Sequence, residues 1–316
     1  MSYEVIISII FLFLCWAVLA VIDAVVAGIS ALLGEVRFRT VFLWGLLSFL
    51  IPVIAFAYGT LIERNLYQVK EVSLEFSSLP KSFDGLKIVH ISDIHLKSFA
   101  HRPESLRRAV DRINSLNPDM VCFTGDLITL DVSEMDGLED ILKDIQSPVF
   151  SVMGNHDYHI FAGRKDKVNE SVIEAKVEEL RERERSLGWE VLQNSSRIIY
   201  HAGACLAIVG VEYHGDLQAA IQGTEGAFRI LLSHDPTQWD MEVVGKDIPL
   251  TLSGHTHAMQ FSLLGWSPSR YLFKRYRGLY KEGGQYLYVN VGLGETIFPT
   301  RIGVRPEITL ITLETK

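Results

Sequence analysis

Five of the chain's ten histidines fall in short polar motifs that directly follow apolar runs. Asp93-Ile94-His95 follows the run 86–91. Two residues apart on an extended chain point the same way, so both side chains could reach one ion. Gly125-Asp126 follows the run 120–124, where the glycine permits a sharp turn and the two carboxylate oxygens could bridge two ions. Gly154-Asn155-His156-Asp157 follows 149–153; the Asn155 amide oxygen can ligate and leave His156 beside the ions. Ser233-His234-Asp235-Pro236 follows 228–232. Gly254-His255-Thr256-His257 follows 250–253, and its two histidines could face different ions. Any one of these is a weak signal; the ordered set is specific. Asp93, His95, Asp126, Asn155, His234, His255 and His257 make seven ligand groups. Two ions sharing Asp126 would then have four protein ligands each, the two-metal arrangement of hydrolytic phosphoryl chemistry. The absence of thiolates argues against a structural zinc site. Mixed imidazole and carboxylate ligation suits Mn, Fe, Zn or Co. The cofactor expected is a pair of divalent metal ions, Mn first, then Fe, Zn, Co or Mg.

These motifs must be held by elements that end at one place. Short β-branched runs alternate with helical stretches from residue 65 onward. The pattern predicts strands over 86–91, 120–124 and 149–153, and helices over 104–116 and 165–187. The charged run 178–185 reads as a solvated helix face with i,i+4 pairs. Strands then come closely spaced, over 197–200, 206–211, 228–233, 250–253, 286–291 and 308–313. This order suggests a layered α/β or α+β domain, and in a parallel-rich sheet the strand ends gather at one edge. Three cysteines, Cys15, Cys122 and Cys205, give no disulfide framework and read as core packing.

Composition divides the chain. Hydrophobic residues make up 48% of it, and the mean hydropathy is +0.20. Only five of the 30 basic and 38 acidic residues lie in residues 1–62: Glu4, Asp23, Glu35, Arg37 and Arg39. The uncharged runs 5–22 and 41–62 are each long enough to cross a bilayer core as a helix. Residues 1–62 therefore read as a transmembrane hairpin anchor, with Asp23 near the end of the first span or facing the second helix. A buried soluble helix pair and a cleaved signal peptide are the alternatives; the basic flank of a signal peptide is missing. Residues 63–85 read as a linker and first strand, and 86–316 as the catalytic domain. The net charge of −8 excludes a strong electrostatic footprint for nucleic acid.

The ordered motifs resemble the calcineurin-like metallophosphoesterases. The resemblance implies a four-layer α/β (α+β) β-sandwich flanked by helices, with the dinuclear centre at one end. It also implies that Asp93, His95, Asp126 and His257 hold one metal and Asp126, Asn155, His234 and His255 the other. His156 would be the catalytic histidine at the leaving oxygen, working beside the bridging Asp126. Thr129 and Leu130 stand where the protein serine/threonine phosphatases have Asp and Arg, so a carboxylate partner for His156 would have to come from Asp131 or Asp157. Purple acid phosphatases need a ligating Tyr at the Thr129 position. The anchor, the SHDP and GHTH motifs and the run 289–308 are similar to the membrane-associated bacterial branch, which includes enzymes like the UDP-2,3-diacylglucosamine pyrophosphatases of lipid A synthesis.

The segment 270–281 holds five basic residues and four aromatics. Aromatics favour the membrane interface and Lys/Arg attract anionic lipid. Lys274, Arg277, Arg301 and Arg305 are the candidate substrate contacts. The expected partners are the lipid bilayer and a phosphorylated lipid or nucleotide-lipid substrate, with no nucleic acid and no protein partner implied. The expected activity is cleavage of a phosphodiester or pyrophosphate bond, for example releasing UMP and lipid X from UDP-2,3-diacylglucosamine. Cell-wall, nucleotide or nucleic-acid phosphodiesters are the alternative substrates, and an inactive membrane-bound scaffold the alternative class. The expected location is a bacterial inner membrane with the catalytic domain on the cytoplasmic side, although the basic residues flanking the spans do not choose a side.

Overall fold

The computed structural model describes residues 3–34, 37–158 and 170–316. Helix α1 (Tyr3–Leu32) is apolar all round, and Ile9, Phe13, Val21 and Ile29 are exposed by half or more. The returning rod consists of α2 (Phe38–Gly45), a 3-10 turn (Leu46–Phe49) and α3 (Leu50–Leu61). Pro52 supplies no N–H, and its ring crowds the carbonyl four residues back, which accounts for the tightening just before it. The two apolar segments, Ile6–Leu32 and Phe38–Asn65, are long enough for a bilayer, and their apolar windows are unburied by the rest of the chain. They run antiparallel. Trp16 Nε1 donates to the Phe49 carbonyl at 2.8 Å, and Ser48 Oγ donates to Asp23 Oδ2 at 3.1 Å. Asp23 thus faces the second rod, where Gly45 leaves room for its carboxyl group.

Two six-stranded mixed sheets follow. The first runs β1 (Gln68–Phe76), β12 (Glu307–Thr315), β2 (Lys87–Ile91), β3 (Met120–Phe123), β4 (Val149–Ser151) and β5 (Glu190–Val191). The second runs β10 (Gly278–Glu282), β11 (Gln285–Val289), β9 (Leu250–Ser253), β8 (Phe228–Ser233), β7 (Ala204–Val211) and β6 (Ser195–His201). Each sheet has a run of four adjacent parallel strands: β2, β3, β4 and β5 in one, β7, β8, β9 and β11 in the other. The strand β1 pairs in parallel with β12 along its whole length, so residues 68–76 form a strand of the first sheet.

The strands alternate with period two, which sets the layers. Ile88 and Cys122 of the first sheet and Leu206, Ile208, Ile230 and Leu252 of the second fill the space between the sheets. Val89, Val121 and Phe123 point the other way, against α4 (Pro103–Ser115), α5 (Glu139–Lys143) and α6 (Glu170–Ser186). Ala207, Val209 and Leu231 face outward from the second sheet, beneath α7 (Leu217–Ile221) and Trp239. Helix α6 departs from the solvated face expected of 178–185. Leu180 and Glu184 are fully buried, because this helix covers β4 and Glu184 accepts a hydrogen bond from Ser151 Oγ at 2.6 Å. The part of that predicted helix over 165–169 lies outside the described residues. The three cysteines are free, with Cys122 buried.

Candidate metal centre

Each metal motif sits just past the carboxyl end of a parallel strand: β2, β3 and β4 in one sheet, β8 and β9 in the other. Face-to-face packing brings these ends together, the usual ligand position in parallel sheets. The local backbone is not the extended chain assumed for Asp93 and His95. Asp93, His95, Asp126, His255 and His257 all have φ between +46° and +74°. Left-handed backbone at non-glycine residues is strained and persists where the surroundings over-determine it. Here the chain turns through left-handed residues after β2, β3 and β9, so those side chains converge by turning rather than by alternation.

On one side of the site, His257 Nε2 lies 3.2 Å from Asp93 Oδ1 and 3.1 Å from His95 Nε2. His95 Nε2 lies 3.7 Å from Asp126 Oδ2. On the other side, His234 Nε2 lies 3.3 Å from Asp126 Oδ2 and 3.0 Å from Asn155 Oδ1, while His255 Nδ1 lies 2.8 Å from the same amide oxygen. Asp126 joins the two halves. All seven predicted ligands therefore meet, and Asp93, Asp126, His95, His234 and His257 are buried. Glycines make this approach possible. A Cβ on Gly154 would sit 2.2 Å from Asp126 Oδ1, and one on Gly254 would sit 2.3 Å from Asp93 Oδ2.

The donor set fits divalent cations on its own chemistry. The Thr124 carbonyl lies 2.7 Å from His234 Nδ1 and accepts its N–H, which in the neutral ring leaves the Nε2 lone pair aimed at two oxygens. Lone pairs facing lone pairs need a positive charge between them, either a proton or a cation. Burial disfavours charge on His234, but the Asp126 and Asp93 carboxylates outweigh it and push its pKa up to about 10. Burial would raise Asp93, yet the imidazoles of His257, His234 and His95 hold it well below the usual carboxylate range. Burial and the neighbouring His156 push His95 down. Strongly perturbed carboxylates and imidazoles in one buried cluster are the electrostatic mark of a metal or catalytic site.

His156 stands beside this cluster, its ring 4.8 Å from that of His95 and edge-on to it. Its backbone N–H donates to Asp126 Oδ1 at 2.8 Å, and its Nδ1 lies 2.8 Å from the Thr129 carbonyl. The expectation that Asp131 or Asp157 partners this ring is therefore corrected. Asp157 turns inward to accept the N–H groups of Asp126, Gly154 and Ile128 at 2.7, 2.9 and 3.1 Å. Asp131 caps the 3-10 turn 132–135 and pairs with Lys176.

Of the four candidate substrate contacts, Arg301 reaches the cluster from behind a ligand, whereas the contacts of Lys274, Arg277 and Arg305 lie elsewhere. Arg301 is fully buried. Its guanidinium donates to the carbonyls of Val291, Gly292 and Gly294 and lies 3.4 Å from His257 Nδ1, so it braces a ligand and has no face toward solvent. Lys274 pairs with Asp240 at 2.6 Å. Arg277 donates to Gly265 O and Ser262 Oγ at 2.7 and 3.2 Å. Arg305 lines a separate surface cleft with Lys70 and Arg277. Their positive charge was visible in the sequence, but nothing there showed that backbone carbonyls and carboxylates already engage most of it.

Two supporting residues escaped the sequence reading. Glu134 accepts the N–H groups of Thr129 and Leu130, both at 2.7 Å, and fixes the loop that carries the His156 partner. The Asp131-x-x-Glu134 spacing of a capping box was the available signal. Glu295 ties Arg64 and Arg102 together at 3.3 and 3.1 Å, and no local pattern announced it.

The family model of calcineurin-like phosphoesterases matches residues 86–259. The metallophosphoesterase YkuE of Bacillus subtilis is 31% identical over 277 residues, covering 82% of this chain and 90% of that protein. A Danio rerio protein described as a transmembrane protein with metallophosphoesterase domain is 32% identical over 291 residues. That match covers 85% of this chain and 62% of the relative, so this chain spans less than two thirds of the relative's length. The UDP-2,3-diacylglucosamine pyrophosphatase LpxG of Chlamydia muridarum is 27% identical over 299 residues, covering 77% of this chain and 88% of LpxG. A family match over more than half the chain, a buried dinuclear Asp/His centre and exposed apolar N-terminal helices that suit membrane anchoring agree: the chain belongs to the calcineurin-like metallophosphoesterases.

Proposed function

We infer that this metallophosphoesterase cleaves a phosphodiester or pyrophosphate bond on a membrane lipid, with UDP-2,3-diacylglucosamine the specific candidate, in a bacterial inner membrane with the catalytic domain on the cytoplasmic side. One observation carries the reading. A cavity of about 460 Å³ runs from Thr129, beside His156, to Phe298 and Pro299. At that far end the Phe298 ring lies 5.4 Å from Phe11 of α1, and the Pro299 carbonyl accepts from Arg64 Nη1 at 2.9 Å. The cavity is thus lined both by the residue whose carbonyl orients His156 and by residues that touch the apolar helices. Lys97, Arg64 and Arg102 also line it, the two arginines paired with Glu295, and guanidinium and ammonium groups suit phosphate. The LpxG relative supports the same substrate class.

Two divalent ions bound here would supply charge neutralisation at phosphorus and a nucleophilic water at neutral pH. The chain's own part is positional. Asp126 joins the two halves of the site, and Asn155 holds His234 and His255 together in one of them. His156, oriented by the Thr129 carbonyl, is placed to hold a proton near the leaving oxygen. Burial of Asp93, His95 and Asp126 excludes bulk water from one side. Incubating the full-length protein with UDP-2,3-diacylglucosamine in mixed micelles and Mn²⁺ tests the reading by UMP release. Turnover of bis(p-nitrophenyl) phosphate without UMP release would leave the chemistry standing and reject this lipid.

A further inference from the structure

The segment after the GHTH motif has two costly features. His257, Ala258, Met259 and Gln260 have φ between +47° and +55°, a left-handed turn of four residues. Leu263 and Trp266 then exchange both backbone hydrogen bonds at 2.8 and 2.9 Å, closing a two-residue hairpin on Leu264 and Gly265. Their φ values of +50° and +85° mark a type I′ turn, whose first position ordinarily takes Asn, Asp or Gly. Here it is a leucine, strained in backbone and 100% exposed in side chain. Leu263, Trp266, Tyr271 and Leu272 around it are exposed as well. A loop tip shaped for water would have neither feature.

Its position supplies the reason. Ser262 N donates to the Ile302 carbonyl at 2.7 Å, and Phe261 bridges Ile302. Gly59 of α3 packs directly on Thr300, Arg301 and Ile302. The base of the tip is therefore one backbone layer from the end of the second apolar rod. Arg277 donates to Gly265 O from behind the tip, a cation at its shoulder with leucines in front. Aliphatic and aromatic side chains ahead of a basic one is the arrangement of an interfacial anchor.

We propose that the 263–266 tip is a third membrane element, dipping into the same bilayer as the two helical rods and holding the His255–His257 metal segment against the lipid surface. This rests on the reading that those rods span a bilayer. The segment carrying the apolar tip adjoins the end of the second rod through 300–302, and the neighbouring basic residues suit anionic headgroups.

Tryptophan quenching tests it. In a full-length Trp16→Phe/Trp44→Phe background, the remaining tryptophans are Trp266 and the buried Trp189 and Trp239. Reconstituted into nanodiscs of brominated phosphatidylglycerol, this protein should lose emission relative to unbrominated lipid, and adding Trp266→Phe should abolish the loss. Equal emission in the two lipids while Trp266 is present overturns the proposal. If the unmodified chain is not quenched either, the spanning reading falls too, so the two failures are distinguishable. Leu264→Asn suits the turn better, so it should melt no lower in detergent yet cut Trp266 quenching at least two-fold. Full quenching retained in that variant overturns insertion by the tip. Absent quenching with a smaller assembly mass for Leu264→Asn would assign the tip to a second copy of the chain and also overturn it.

Discussion

His156 is oriented by the main chain of Thr129: its Nδ1 lies 2.8 Å from that carbonyl oxygen. The side chain at position 129 is therefore not the partner, and the missing Asp at this position does not leave the ring unsupported. What matters is the loop path, which Glu134 sets through the amides of Thr129 and Leu130. Glu134→Ala should lower kcat on the order of ten- to hundred-fold at saturating metal, the usual effect of a small misplacement. Thr129→Val loses only the 3.3 Å contact with His95 Nδ1 and should weaken metal affinity instead. Steady-state kinetics against titrated Mn²⁺ separates the two. Equal kcat losses in both variants would contradict this division.

Metal removal should show in stability as well as rate. Asp93 and Asp126 are buried carboxylates whose negative charge calls for cations. An ion present at 100 times its dissociation constant stabilises by about 2.7 kcal/mol. For a domain of this size that is a Tm shift of roughly 5–10 °C. Chelated protein should melt lower by that amount and recover with Mn²⁺. Asp126→Asn, which removes the bridging charge, should show little recovery. A Tm insensitive to chelation in the unmodified chain would contradict the site's charge balance.

Much of this arrangement was legible in the chain, for a physical reason. Ligand motifs follow strand ends, and strands such as 120–123 are continuous apolar runs that announce themselves. Convergence of His234 and His255 with Asp126 then follows from parallel topology. The partners of the basic residues were not legible because charge is local in sequence while its partner is not. Arg301 is occupied by carbonyls from 291–294, and Lys274 by Asp240, 34 residues away. Glu184 was misread for the converse reason. It lies in a run of charges on a helix that has one face against β4, and only the packing shows which charges turn inward.

That buried glutamate gives a pH signature. Burial first, then the nearby Asp157 charge, pushes the Glu184 carboxyl up to about 8, against an ordinary value of 4.5. It is protonated in the folded chain at neutral pH and ionised in the unfolded one. A folded pKa raised above the unfolded value gives stability that is fully present below the unfolded pKa and lost as pH rises through the folded one. Stability should thus decline between about pH 4.5 and 8, by up to a few kcal/mol. Glu184→Gln keeps the shape and the Ser151 contact without the titration. It should flatten that part of the Tm–pH curve and melt higher than the unmodified chain at pH 8. Parallel curves for the two proteins would count against a buried neutral carboxyl.

The contact between the anchor and the domain is rigid at two points. Glu295, with a side chain 2% exposed, pairs with Arg64 beyond α3 and with Arg102 of the domain. Glu295→Ala leaves two largely buried guanidinium groups without their carboxylate, which should cost about 3–5 kcal/mol. Gly59 is the second point. A Cβ there would meet Thr300 Oγ1 at 2.3 Å and the Arg301 carbonyl at 2.5 Å, and a backbone atom cannot swing aside. Gly59→Val should therefore displace 300–302. Because the Arg301 guanidinium lies against His257 Nδ1, the displacement reaches a metal ligand from inside the anchor contact. The expected result is faster proteolysis between residues 61 and 68 together with weaker Mn²⁺ binding. Gly28→Val, with nothing within 4 Å, should change neither. Retained metal affinity in Gly59→Val despite faster proteolysis would show that the anchor and the metal centre are mechanically independent.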